Sequence, residues 1–181
     1  MDLPSALAFL HDHEKFRTFN ELCIGNKTTQ IPPATSWIAT EATARCPDGV
    51  APEYRSVRVF VPMRPLKAPI VTTASAFINT HDGVIIVLQA PRGFHGIYQW
   101  RVFSREDALG WAVREEVTLT GCALSMPYIL KEEKRVRTLR LARLSRELEE
   151  YVQAKEVESE SDGIVEVEGE VYEDMEAPTT E

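Results

Sequence analysis

In the stretch VREEVTL, residues 113 to 119, Glu115 alternates with Val113, Val117 and Leu119 and therefore shares their side of a strand. A carboxylate on an apolar stripe must be paired or carry a raised pKa, and a carboxyl in that state is how a general acid or base arises. A plainer placement competes with this one. If the register is shifted, Arg114 and Glu116 mark the solvent side and Glu115 falls near the strand's open end, and this plainer placement is preferred. Glu133 and Arg137 stand four apart, in line with Leu141, Leu144 and Leu148. They could orient a ligand, but an ordinary solvated i,i+4 pair is the preferred reading. His95, in PRGFHGIYQW, lies between glycines at a strand entrance, either at the mouth of a pocket or, as preferred, in a turn with no chemical role. Glu115 and His95 are the catalytic candidates, and the chemistry available to them is proton transfer.

Other chemistries find less support. His11 and His13 are two apart and point in nearly opposite directions on a helix, and no further His or Cys has ligand spacing, so no metal site is expected. GFHG and CIGN match neither a nucleophile elbow nor a phosphate-binding loop, and no cofactor is expected. Cys23, Cys46 and Cys122 are widely spaced and odd in number, against a disulfide framework. The basic residues from Lys131 to Arg146 are interleaved with Glu132, Glu133 and Glu147, which is the mixture of a solvated helix face rather than a nucleic-acid surface.

The elements that must position these residues follow from length and patterning. The chain of 181 residues, 44% hydrophobic, accommodates one domain with a full core and some unstructured length. Its net charge of -8 is unevenly distributed. Eleven acidic residues against one lysine between Lys155 and Glu181 give that segment -10, leaving +2 on residues 1 to 154. The acidic segment has too little apolar surface to offset the entropy of ordering it, so a folded domain over 1–154 and a disordered tail over 155–181 are expected. No window approaches a membrane span and the N-terminus lacks a signal peptide's features, so a cytoplasmic location is expected.

Asp2 and Asp12 are capping candidates for two short N-terminal helices, carrying Leu3, Ala6, Leu7 and Leu10 and then Phe16 and Phe19. From Glu21 to Thr120 the signal is one of strands: Val57, Val59 and Val61 alternate, Asp82-Gly83 marks a hairpin, and two more runs flank the turn REDA. Consecutive antiparallel strands make a meander. Prolines keep QIPPATSWIATEATARCPDGVAPE out of a central strand, so a long connection with one short strand is expected there. A helix capped by Ser125, with Pro127 in its first turn, should run to about Val152. Its inward face is expected to hold Leu130, Leu141, Leu144, Leu148, Tyr151 and Val152.

This order of elements resembles the α+β helix-grip fold of the START, polyketide-cyclase and Bet v 1-like superfamily (SRPBCC). The segments ALAFLHDHEKFRTFNEL, GVIIVLQAPRGFHGIYQWRV and WAVREEVTLTGCALSMPYI are similar to a fungal family of that superfamily carrying a domain of unknown function. The resemblance covers roughly residues 3 to 152. It implies a meander wrapped around the long C-terminal helix and an apolar pocket between them, suited to a lipid, polyketide or terpenoid. Members normally begin with a strand that pairs between the second and last strands. Here the chain starts in a helix, so either residues 31 to 52 supply a substitute strand or open edges favour a homodimer.

Tyr98 and Trp100 alternate with Gln99 and Arg101 and offer aromatic walls. With Glu115 and Arg137 they are expected to line a mostly apolar cavity, on the order of several hundred Å³. The leading expectation is a hydrophobic small-molecule binder. The alternatives are a cofactor-independent cyclase or isomerase of fungal secondary metabolism, and a protein-interaction module.

Overall fold

The computed structural model describes residues 3–17, 22–60, 70–104, 111–123 and 126–161. Asp2, Phe19, the REDA turn, Ser125 and residues 162–181 lie outside the described residues, as do the side chains of Phe16, Leu148, Tyr151 and Val152.

Two short helices open the chain, α1 (Leu3–His11) and α2 (His13–Arg17). Asp12 separates them and accepts from the Lys15 amide at 3.0 Å, the N-cap geometry its side chain favours. Then come β1 (Cys23–Thr28), α3 (Trp37–Arg45), β2 (Glu53–Phe60), β3 (Ile70–Thr80), β4 (Gly83–Ala90), a 3-10 turn (Pro91–Gly93), β5 (Phe94–Ser104) and β6 (Trp111–Thr120). The long helix α4 spans Met126–Ser161. The strands form one antiparallel sheet in chain order, β1-β2-β3-β4-β5-β6. The class is therefore α+β, a meander gripping a C-terminal helix.

Two apolar layers sandwich the sheet. On the α4 face, Ala6, Phe9 and Leu10 of α1 meet Phe77, Val84, Trp100, Val102 and Leu144. On the opposite face, Ile38 and Ala42 of α3 pack on Tyr54, Ala76, Ile78, Ile85 and Val87. Period-two alternation supplies both sets: Tyr54 faces α3, whereas Val57 and Val59 face the other way. The hairpin expected at Asp82-Gly83 joins β3 and β4, with Thr80 opposite Gly83. Glycine is required there by close approach, since a Cβ would lie 1.8 Å from the Trp100 carbonyl oxygen.

Four expectations need correction. Residues 37 to 45 are helical rather than a connection with a short strand: Ser36 accepts from the Ala39 amide at 3.4 Å, and Ile38, Ala39 and Ala42 form a buried face. The prolines bracket that helix instead of forbidding structure. No strand from 31–52 joins the sheet among the described residues, and β1 and β6 remain its edges. Leu130 is 52% exposed, so the inward stripe of α4 runs through Val136, Arg140 and Leu144, with Leu141 packed beside it as expected. The helix also continues past Val152 to Ser161.

Candidate functional site

On the α4 face, register sets Phe77 of β3 opposite Ile86 of β4, Ile86 opposite Tyr98 of β5, and Tyr98 opposite Val117 of β6. Apolar side chains thus meet in rows across four strands. Between these rows and α4 lies a cavity of about 90 Å³. Val57, Val59, Phe77, Ile86 and Leu88 give it an aliphatic and aromatic floor, with Tyr98 and Trp100 as walls and Cys23 and Ser75 as small polar contributors. Among the described residues, Arg140 is the one charged residue in this lining. The space is smaller than the expected several hundred Å³, with the Arg140 side chain and the Tyr98 and Trp100 rings among the groups that bound it. A single water needs roughly 10–15 Å³ of such volume, so a small guest still fits.

Arg140 is 6% exposed and anchors a network of four charges. Its Nη2 donates to Glu115 Oε1 at 2.5 Å and to Glu133 Oε1 at 2.7 Å. Its guanidinium carbon lies 5.6 Å from the ring centroids of both Tyr98 and Trp100, within cation–π range. Arg137 completes the set, with Nε 3.1 Å from Glu115 Oε2 and Nη2 donating to the Glu115 main-chain carbonyl. Tyr98 donates to Glu133 at 3.5 Å.

Burial sets the protonation of this network. It raises the Glu115 carboxyl above its ordinary value, Arg140 and Arg137 only partly opposing the effect and Glu133 adding to it. Burial would likewise lower the Arg140 guanidinium, but Glu133 and Glu115 outweigh it and keep it charged. The Tyr98 hydroxyl is pushed up by burial first and Glu133 second, and stays protonated.

Glu115 therefore does face the apolar side, and at 3% exposure it is buried rather than at an open end. Tyr98 and Trp100 line the cavity, whereas Glu115 stands behind Arg140 and Arg137 lies along β6. Glu133 pairs with Arg140 instead of Arg137. His95 belongs to the other face, its ring stacked on Trp37 with centroids 4.0 Å apart. The sequence reading did not single out Arg140. Its signal was position: it falls midway between Val136 and Leu144, four residues from each, on the stripe they bury.

A second polar cluster ties α2 to the sheet. His13, 7% exposed, lies with Nδ1 2.5 Å from Glu53 Oε2 and Nε2 2.8 Å from Asn79 Oδ1, within hydrogen-bond distance of both. Arg55 donates to Glu53 at 2.7 Å. His11 donates to the Gly83 carbonyl at 2.8 Å. Both histidines are thus engaged in holding the N-terminal helices. Among the described residues, no group of three or more His, Cys, Asp or Glu side chains is arranged to hold a metal ion.

No helix among the described residues is long and apolar enough to cross a membrane. No curated protein and no solved structure gives a significant match to the chain. The family model described as Domain of unknown function (DUF7053) matches residues 2–150, which take in the whole sheet, the three short helices and the packed part of α4, and the chain belongs to that family.

Proposed function

We propose that the chain binds a hydrophobic small molecule, of the lipid, polyketide or terpenoid kind, in the cavity between the sheet and α4. The observation that carries this reading is the lining itself: aliphatic and aromatic side chains from four strands, with one charged group among them. The resemblance of the element order to the SRPBCC superfamily, in which such a space holds apolar ligands, supports the same reading. Binding without turnover is preferred over a cyclase or isomerase. Glu115 is engaged by two arginines behind the lining, and His95 lies on the opposite face of the sheet.

Native mass spectrometry of the chain purified from its own source tests this, together with titration of an uncharged environment-sensitive dye. One ligand or dye per folded chain is expected. Val59→Phe, which fills the lining, should weaken dye binding at least about fivefold, whereas Phe103→Ser, exposed on the α3 face, should not. Equal binding by both variants would overturn the reading.

A second reading, association of two copies through β1, is favoured by one observation. Ile24, Phe60 and Ile70 are 48%, 41% and 51% exposed on three adjacent strands.

A further inference from the structure

We infer that the guest of this cavity is a compact, uncharged alcohol or phenol, an apolar body of no more than one small ring bearing a hydroxyl, and that Ser75 on the cavity floor holds that hydroxyl. The inference rests on the pocket reading above and names the ligand class and the residue that selects it. Three observations carry it.

The first is where β3 leaves its polar groups. Alternation turns Thr73, Ser75, Phe77 and Asn79 to the α4 face. Thr73 donates its hydroxyl to the Val57 carbonyl at 3.2 Å, and Asn79 Oδ1 lies 2.8 Å from His13 Nε2. Ser75, paired with Arg55 of β2 and Leu88 of β4 and 2% exposed, has no hydrogen-bond partner for its hydroxyl among the described residues. The second is access. Ser75 lines the cavity, and beyond the main chain it has only a Cβ and the hydroxyl to present there. Among the described residues, the unpartnered side-chain atoms sealed from a water-sized group belong to Asn26, Glu115 and Arg140, not to Ser75. An unsealed hydroxyl on a residue this deeply buried opens onto the space that the residue lines. A guest that meets it recovers the cost of a buried polar group left unpaired.

The third is what the rest of the cavity excludes. Glu115 and Glu133 already stand against Arg137 and Arg140, so a charged guest would shed its hydration and find no spare countercharge. The volume of about 90 Å³ is below the roughly 150 Å³ of a dry cavity that takes up benzene, so one small ring is the upper limit. A hydroxyl suits Ser75 better than other neutral groups do. It can give its proton to Oγ or take the serine's, whereas a ketone or ether can only accept. A plain hydrocarbon would fit the walls but leave Oγ unmet.

The test uses the full chain and three probes built on one ring: cyclopentanol, methylcyclopentane and cyclopentanecarboxylate. Affinities are measured by titration with ligand-observed NMR. Cyclopentanol should bind, the carboxylate should bind at least about tenfold more weakly, and the ratio of cyclopentanol to methylcyclopentane affinity should fall about fivefold in Ser75→Ala. A second measurement needs no variant. In the wild type, nuclear Overhauser contacts from the Ser75 β-protons should fall on the carbinol proton of cyclopentanol rather than on the far methylenes of its ring. If the probes bind but the ratio is unchanged in Ser75→Ala, or the contacts fall on the far methylenes, Ser75 is not the anchor and the ligand class is overturned while the pocket stands. Carboxylate binding as tight as that of the alcohol would overturn the restriction to uncharged guests. If none of the probes binds, the pocket reading falls and takes this inference with it.

Discussion

Glu115 and Glu53 are both carboxylates in ion pairs, yet burial and partners move them in opposite directions. For Glu115, burial outweighs its arginines and raises the folded-state value above 4.5. Its contribution to stability is therefore fully present below 4.5 and is lost as pH rises through the raised folded value. For Glu53, burial also raises, but hydrogen bonds from His13 and Arg55 and their charges win and hold it below 4.5. Its contribution is present above 4.5 and is lost as pH falls through the lower folded value. Urea denaturation across pH separates the two. Relative to wild type, Glu115→Gln should gain stability as pH rises from below 4.5 toward neutrality, and Glu53→Gln should flatten the acid limb. Parallel pH profiles for both variants would contradict these assignments. At this scale alternation did set Glu115 among Val113, Val117 and Leu119, but the solvent-side register is the one preferred from sequence because a carboxylate is costly to bury, and the arginines of α4 that offset that cost lie 22 and 25 residues away in the chain. Arg140 was not legible, because the six other basic residues between Lys131 and Arg146 differ from it only in which way they face.

The elements divide in the same manner. Strands β2 to β6 follow from period-two runs, and α4 follows from Pro127 and a long polar-apolar pattern, because in both cases the signal is local. The helix α3 escaped detection since Pro32, Pro33 and Pro47 suggested irregular chain, whereas they lie outside its bounds of Trp37–Arg45. Its cue was weak: Ser36 as cap and a short stripe of Ile38, Ala39 and Ala42. What makes it a helix is the tertiary surface of Ala76, Ile78, Ile85 and Val87 beneath it. Ala42 is 0% exposed at that contact, so its size sets how closely the helix lies on the sheet. Replacing it with leucine should cost about 1–3 kcal/mol through overpacking. A midpoint shift in urea with an unchanged slope would register that loss. An unshifted midpoint would mean that α3 can lift from the sheet without penalty.

At the scale of the whole molecule, two consequences follow from where the sheet begins and ends. The family match covers residues 2–150, and the packing of α4 against the sheet runs through Val136, Arg140 and Leu144. Removing residues 155–181, including the last turns of α4, should therefore cost less than about 1 kcal/mol, a fall in melting temperature of less than about 2–4 °C. A larger fall would place part of that acidic segment within the domain.

The edges carry the second consequence. Strand β6 is a poor template for another strand: Arg114 and Glu116 are exposed along it, and Arg137 already donates to its Glu115 carbonyl. Strand β1 is guarded differently, by its six-residue length and a register shift between Cys23 and Gly25. It nevertheless exposes Ile24, with Phe60 and Ile70 exposed on the next two strands. Since residues 37–45 form a helix on the sheet's face, they supply no strand to cover that side. Any association of two copies should run through β1. Light scattering at micromolar concentration should report a dimer, and Ile24→Lys, which places a charge on the edge, should return it to a monomer. Arg114→Ala, on the other edge, should leave the dimer intact. A wild-type chain that stays monomeric would mean that the bulge and short length of β1 are protection enough.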